Sequence, residues 1–225
     1  LSDGRIIPDF IGKFLRLSVS PYLQPGNHQY TNGVNFASGG AGALVETHQG
    51  KVIDLKTQLS YFKKVEKQLR QKVETKPFFI EAIYLFSIGS NDYVAHFTTN
   101  STVLQQYSRE EYVAMVIGNL TICAQTYGYS FVYQEISKNG ERKFGVVSLP
   151  PLGFLPSMRG FKQNRYGGCM EEVTILTKLN NKELSKALNE PKKQLKGFKY
   201  SNFDCYSSAS ERIKNPSNPS IISTL

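Results

Sequence analysis

Of the 225 residues only three are cysteine; Cys123, Cys169 and Cys205 form no Cys-x-x-Cys zinc pair and are too few for a disulfide scaffold. The odd count leaves at least one thiol free or paired outside the chain. No apolar run approaches the roughly 18 residues that a membrane span needs. Histidine occurs three times, at His28, His48 and His96, without a His-x-x-x-His metal spacing, and lone histidines in polar loops read as ordinary loop residues. No Gly-Lys-Ser/Thr follows a glycine cluster, which excludes a phosphate-cradling P-loop. A Gly-x-Ser-x-Gly nucleophile elbow is also missing, the nearest approach being Gly128-Tyr-Ser-Phe-Val132. No serine can be paired by sequence with a histidine and an aspartate, so no complete triad can be named. The adjacent carboxylates Glu110-Glu111 and Glu171-Glu172 fall at helix starts, where the helix dipole favours negative charge. Residue 1 is Leu rather than an initiator Met and no signal peptide is visible, so the chain is expected to be part of a longer one.

What is present suits a globular domain: 40% hydrophobic and only 20% charged residues exclude a disordered chain or a coiled coil. Lys plus Arg exceeds Asp plus Glu by 27 to 18, a net charge of +9. That excess invites a nucleic-acid or anionic-surface reading. Much of it sits in two runs, Lys63, Lys64, Lys67, Arg70, Lys72 and Lys76, then Lys192, Lys193, Lys196 and Lys199. In the first run Leu55, Leu59, Phe62, Val65, Leu69 and Val73 recur at three- and four-residue steps. The lysines therefore lie on the wet face of an amphipathic helix, and without any nucleic-acid motif a solvated face is the preferred reading.

Periodicity predicts strands over residues 83–88 (IYLFSI) and 144–149 (FGVVSL), apolar on both faces as buried parallel strands are. Weaker strand candidates cover 198–206 and 34–37. Helices are expected over 54–73, 109–120 and 171–188, the second opened by Ser108 with Glu111 as a capping box and the first capped by Asp54. Strand and helix in alternation argue for an α/β domain with a mainly parallel sheet.

In an open parallel sheet ligands bind beyond the carboxyl ends of strands. Two loops qualify. Gly33-Val-Asn-Phe-Ala-Ser-Gly-Gly-Ala-Gly42 lets backbone approach a ligand closely, and Ile88-Gly-Ser-Asn-Asp92 places an amide just beyond a strand. Backbone N–H groups and an Asn side-chain amide are the donor types that stabilise an oxyanion in acyl transfer. Taken singly, the glycines read as tight turns and the Asn-Asp pair as an Asx turn or helix cap.

Together these loops resemble those of the plant GDSL esterase/lipase family of the SGNH hydrolase superfamily. The likeness runs through Ser2-Asp-Gly-Arg-Ile-Ile-Pro-Asp-Phe10, Tyr30-Thr-Asn-Gly-Val-Asn-Phe-Ala-Ser-Gly-Gly-Ala-Gly42 and Ile53-Asp-Leu with Gln58-Leu59. It resumes at Ile88-Gly-Ser-Asn-Asp-Tyr93 and at Arg142-Lys-Phe-Gly-Val-Val-Ser-Leu-Pro-Pro-Leu-Gly153. The resemblance implies an incomplete three-layer α/β/α sandwich of SGNH, flavodoxin-like type over residues 1–214, with an irregular tail at 215–225. It implies a serine ester hydrolase acting on small esters or lipids, needing no cofactor or metal, and secreted.

By the same resemblance Gly39 is the backbone oxyanion donor and Asn91 the side-chain donor. The family's Gly-Asp-Ser-Leu block would fall before Leu1 and its Asp-x-x-His block after Leu225, so the chain alone is expected to be inactive. The block before Leu1 ends a strand inside the family's sheet, so the isolated chain is expected to fold poorly. Phe154 stands where the family has a cysteine, which would deprive Cys169 of a partner. Segment 122–131 (ICAQTYGYSF) looks inserted, and the residues after Pro219 do not resemble the family. Asn100-Ser-Thr102 and Asn119-Leu-Thr121 are formal glycosylation sequons. The competing expectations are a non-catalytic relative that binds acyl or lipid ligands, and a basic α/β module for anionic surfaces.

Overall fold

A computed structural model describes residues 4–26, 28–71, 75–98, 103–120, 143–161, 169–194 and 199–217. Segment 122–131, Cys123, the Asn100 sequon and residues 218–225 lie outside the described residues. In chain order the elements are α1 (Ile7–Phe14), β1 (Ser20–Pro21), β2 (Val34–Asn35), α2 (Leu55–Arg70), α3 (Thr75–Glu81), β3 (Ile83–Phe86), α4 (Ser90–Thr98) and α5 (Val103–Gln106). They continue with α6 (Arg109–Leu120), β4 (Lys143–Val147), a 3₁₀ turn (Leu152–Phe154), α7 (Pro156–Phe161), α8 (Glu171–Gln194), β5 (Lys199–Phe203) and α9 (Cys205–Lys214).

Local chemistry sets several of these ends. Asp54 caps α2 by accepting the Thr57 N–H at 2.9 Å. At α6 the capping box closes in both directions: Ser108 N–H donates to Glu111 at 2.8 Å, and Glu111 N–H donates to Ser108 Oγ at 3.2 Å. Asp204 accepts the Ser207 N–H at 3.0 Å and starts α9, so the strand expected over 198–206 stops at Phe203.

Every strand pair among the described residues is parallel. Strands β3, β4 and β5 form one sheet in that order, with Tyr84 opposite Phe144 and Phe144 opposite Tyr200. Strands β1 and β2 form a separate two-stranded sheet, so the candidate at 34–37 shrinks to Val34–Asn35. The fold is α/β, in keeping with an SGNH α/β/α sandwich. Central β4 is buried as expected, Phe144 and Val146 each being 3% exposed. Ile83 at the start of β3 is 56% exposed instead, because β3 is an edge strand with a neighbour on one side among the described residues.

Helices α4, α6 and α8 pack on one another around Tyr93, Tyr112, Val113, Val116, Val173, Leu176 and Leu188. Each such apolar side chain contributes about 1.5–3 kcal/mol when fully buried. Tyr93 and Tyr112 meet edge to face at 5.8 Å, and the Tyr93 hydroxyl donates to Asn180 Oδ1 at 2.7 Å. A second cluster of Val65, Leu69 and Phe79 gathers Tyr22, Tyr30, Val34 and Phe36. Phe62 of α2 lies between Tyr84 of β3 and Phe36 just after β2, with ring centroids 5.8 and 6.2 Å away, both edge-on.

The wet face of α2 is where the spacing put it: Lys63, Lys64 and Lys67 are exposed while Leu55, Leu59, Val65 and Leu69 are buried. Spacing gave no hint that Glu66 would also be buried. Its carboxylate accepts from Arg70 Nε at 2.9 Å and Nη2 at 2.7 Å, and the guanidinium lies 4.4 Å from the Phe79 ring centroid. Among the described residues no helix is long and apolar enough to cross a membrane.

Candidate functional site

Both loops singled out by sequence meet at one place. Strand β3 ends at Phe86, and Gly89, at φ +116°, turns the chain into α4; an added Cβ there would lie 3.3 Å from Leu149. Asn91 and Asp92 thus occupy the first turn of α4. Asp92 is not the helix cap that a local reading suggests. Its carboxylate, 0% exposed, reaches nearly fifty residues back along the chain. It accepts from Ala43 N–H at 2.7 Å, Leu44 N–H at 3.0 Å and the Thr47 hydroxyl at 2.6 Å.

The packing at this contact is tight enough to require glycine. A Cβ on Gly42 would sit 2.2 Å from Asp92 Oδ1, a distance no side chain tolerates. Beside it, Asn91 Nδ2 donates to Ala41 O at 2.9 Å. An amide carries two hydrogens, so this bond orients the side chain and leaves the other hydrogen for a ligand. From the helix side, the Tyr112 hydroxyl donates to Asp92 O at 3.0 Å.

The glycine loop is stapled at its other end as well. Ile53 N–H donates to Ser38 Oγ at 3.1 Å, and His48 Nδ1 lies 2.8 Å from Gly40 O, a carbonyl that can only accept. Gly39 lies between these staples and is exposed, and among the described residues no acceptor takes its N–H. Asn91 is half-buried.

Electrostatics follow from burial. Desolvation pushes the Asp92 pKa above the ordinary aspartate value, against the downward pull of Thr47, Leu44 and Ala43. Tyr93 and Tyr112 are held far above the usual phenol range, by burial first and by the Asp92 charge second, and remain neutral donors. Burial also raises the Cys205 thiol, which disfavours the nucleophilic thiolate. Cys169 is likewise free, and Met170 N–H donates to Gly153 O at 3.0 Å, which brings that segment beside Phe154.

None of the three histidines makes a base relay among the described residues. His28 contacts Pro25 O at 3.3 Å and His48 contacts Gly40 O. His96 corrects the expectation of a loop residue: it lies in α4 with both ring nitrogens buried and without a hydrogen-bond partner among the described residues. The Asn119 amide of the second sequon is half-buried and donates to Met115 O at 3.0 Å.

Sequence reasoning passed over one further feature. A polar cleft of about 260 Å³ opens at the carboxyl ends of β4 and β5, lined by Ser148, Lys178, Asn181, Ser185, Asn202 and Asp204. It does not include Gly39 or Asn91. Its position beyond two parallel strands was the available signal.

The parallel α/β fold brings a glycine loop and a strand-end amide together beyond the carboxyl end of β3, where open α/β sheets bind their ligands. Comparison with known proteins specifies the class: the GDSL-like Lipase/Acylhydrolase family model matches residues 1–220, and the chain belongs to that family. It is 45% identical over 223 residues to GDSL esterase/lipase 1 of Arabidopsis thaliana, covering 96% of this chain and 57% of that protein. Identity is 44% over 221 residues to GDSL esterase/lipase 5 of the same plant, with 96% and 54% covered. A GDSL lipase of Tanacetum cinerariifolium is 41% identical over 220 residues, with 96% and 55% covered. The chain thus spans little more than half the length of these curated relatives.

Proposed function

We propose that residues 1–225 supply the oxyanion-stabilising half of a serine ester hydrolase that cleaves small carboxylic esters or lipids. Gly39 N–H and the free hydrogen of Asn91 Nδ2 are the two donors in this reading. The observation that carries it is the meeting of the two loops: Asn91 is oriented by Ala41 O, and Gly39, two residues before Ala41, is exposed with no acceptor for its N–H among the described residues.

The chemistry runs in two steps. A serine oxygen attacks the ester carbonyl and passes its proton to a histidine; the carbonyl oxygen becomes an oxyanion held by Gly39 and Asn91. Collapse breaks the ester C–O bond, and the departing alcohol takes the proton from the histidine. Water then repeats the sequence on the acyl-enzyme and releases the acid. The resemblance assigns serine and base to blocks that these 225 residues do not contain, so the reading concerns the protein in which they are joined. Secretion belongs to the same reading and rests on the family resemblance.

The test is hydrolysis of p-nitrophenyl butyrate by the full-length protein carrying residues 1–225. Asn91→Ala is expected to lower kcat about 100- to 1,000-fold, the usual loss for one oxyanion donor. An unchanged kcat in a folded Asn91→Ala protein would overturn the assignment.

A further inference from the structure

We infer that Asp92 is a positioning residue: its buried carboxylate ties the glycine loop to the first turn of α4 and so holds the Gly39 and Asn91 donors in register. The inference rests on the oxyanion reading above and adds a residue which that reading does not use. Asp92 is 0% exposed, so its carboxylate is sealed from any bound substrate by the groups that donate to it.

Geometry supports the role in three independent ways. First, Ala43 N–H, Leu44 N–H and the Thr47 hydroxyl all converge on one carboxylate at 2.6–3.0 Å. All three partners are donors, so the ionised form satisfies them and an amide would set its own N–H against one of them. Second, Gly42 lies so close that no Cβ fits between the loop and the carboxylate, which leaves the loop little room to slide. Third, Asn91 is the neighbouring residue in α4 and bonds Ala41 O, so the chain on each side of the contact carries one proposed donor. Tyr112 holds the other side of Asp92 through its backbone carbonyl and anchors the turn to α6.

A misplacement of about 1 Å in such a constellation costs on the order of 100-fold in rate. In the full-length protein, Asp92→Asn is therefore expected to lower kcat for p-nitrophenyl butyrate about 10- to 100-fold and to leave KM within about twofold. Combined with Asn91→Ala, its cost should fall well short of the product of the two single losses, since the donors act as one unit.

Thr47→Val removes one of the three donors at nearly constant shape, and serves if Asp92→Asn does not fold. It should lower kcat about three- to tenfold, with Thr47→Ser close to the parent. Amide exchange at Ala43 and Leu44 reads the tether without turnover and should quicken at least about tenfold in either variant. The positioning role is overturned if Asn91→Ala is damaging while folded Asp92→Asn and Thr47→Val turn over like the parent, or if their losses lie in KM alone. A parent protein that hydrolyses no ester would instead overturn the oxyanion reading, and the exchange data would still show whether the tether exists.

Discussion

His96 illustrates how little a residue's identity says about its surroundings. Its ring lies edge-on to Tyr112 at 4.5 Å, and burial lowers its pKa below the ordinary 6.5. The sign of the consequence follows from linkage. Below pH 6.5 the unfolded chain takes up a proton that the folded chain resists, so this residue's contribution is whole above 6.5 and is lost as pH falls from there. Replacing His96 by Phe should flatten the stability profile just below pH 6.5, read as a smaller fall in Tm between about pH 7 and pH 5.5 than in the parent. An equal fall in both proteins would show that other groups govern the acid limb. At this scale Gly39 and Asn91 are candidates in the sequence because a motif carries them. Asp92 was visible too, but its partners were not, since Ala43, Leu44 and Thr47 lie 45 or more residues away.

Among the elements, those set by neighbouring residues were the most legible. Asp54, Ser108 and Glu111 cap their helices within three residues of the groups they satisfy, and those starts fell where the sequence placed them. Asp54→Ala should cost about 1 kcal/mol of stability by chemical denaturation at pH 7. Desolvation raises the Asp54 pKa, but the Thr57 N–H and hydroxyl outweigh it and hold the carboxyl below its ordinary 3.8. The ionised cap therefore stabilises fully above pH 3.8 and its contribution disappears as pH falls through the folded value. Asp54→Asn keeps the cap without the charge, so it should remove part of that acid-labile contribution at much smaller cost than Ala. Strand ends were less legible, because pairing rather than propensity decides where a strand stops. The tract at 34–37 contracted to two paired residues, and Ile83 stayed exposed because β3 has a single neighbour among the described residues.

In the molecule as a whole, the two sheets are served by different apolar clusters, one around α4, α6 and α8 and one around Val65, Leu69 and Phe79. Strand β4 is flanked on both sides, whereas β1 and β2 share two paired positions. Hydrogen exchange should therefore be slowest at the β4 amides, with Ser20 and Tyr22 exchanging at least about tenfold faster. Uniform protection would mean that both sheets open in one cooperative step. The excess of positive charge belongs to this scale as well. Lys63, Lys64 and Lys67 are solvated along α2, so this part of the net charge of +9 decorates a folded surface.

By itself the sequence determined the α/β class, the capped helix starts, the family and the two loops of the candidate site, because periodicity, capping and motif spacing act over short stretches of chain. Only the tertiary structure decided what those loops do to one another. It placed the Asp92 carboxylate under the glycine loop, made Gly42 obligatory there, buried Glu66 against Arg70 and left the His96 ring nitrogens without a hydrogen-bond partner among the described residues. The physical reason is the same in each case. Desolvation, steric exclusion and hydrogen-bond satisfaction depend on which groups meet in space, and the Asp92 contacts join α4 to a loop 45 to 49 residues earlier in the chain.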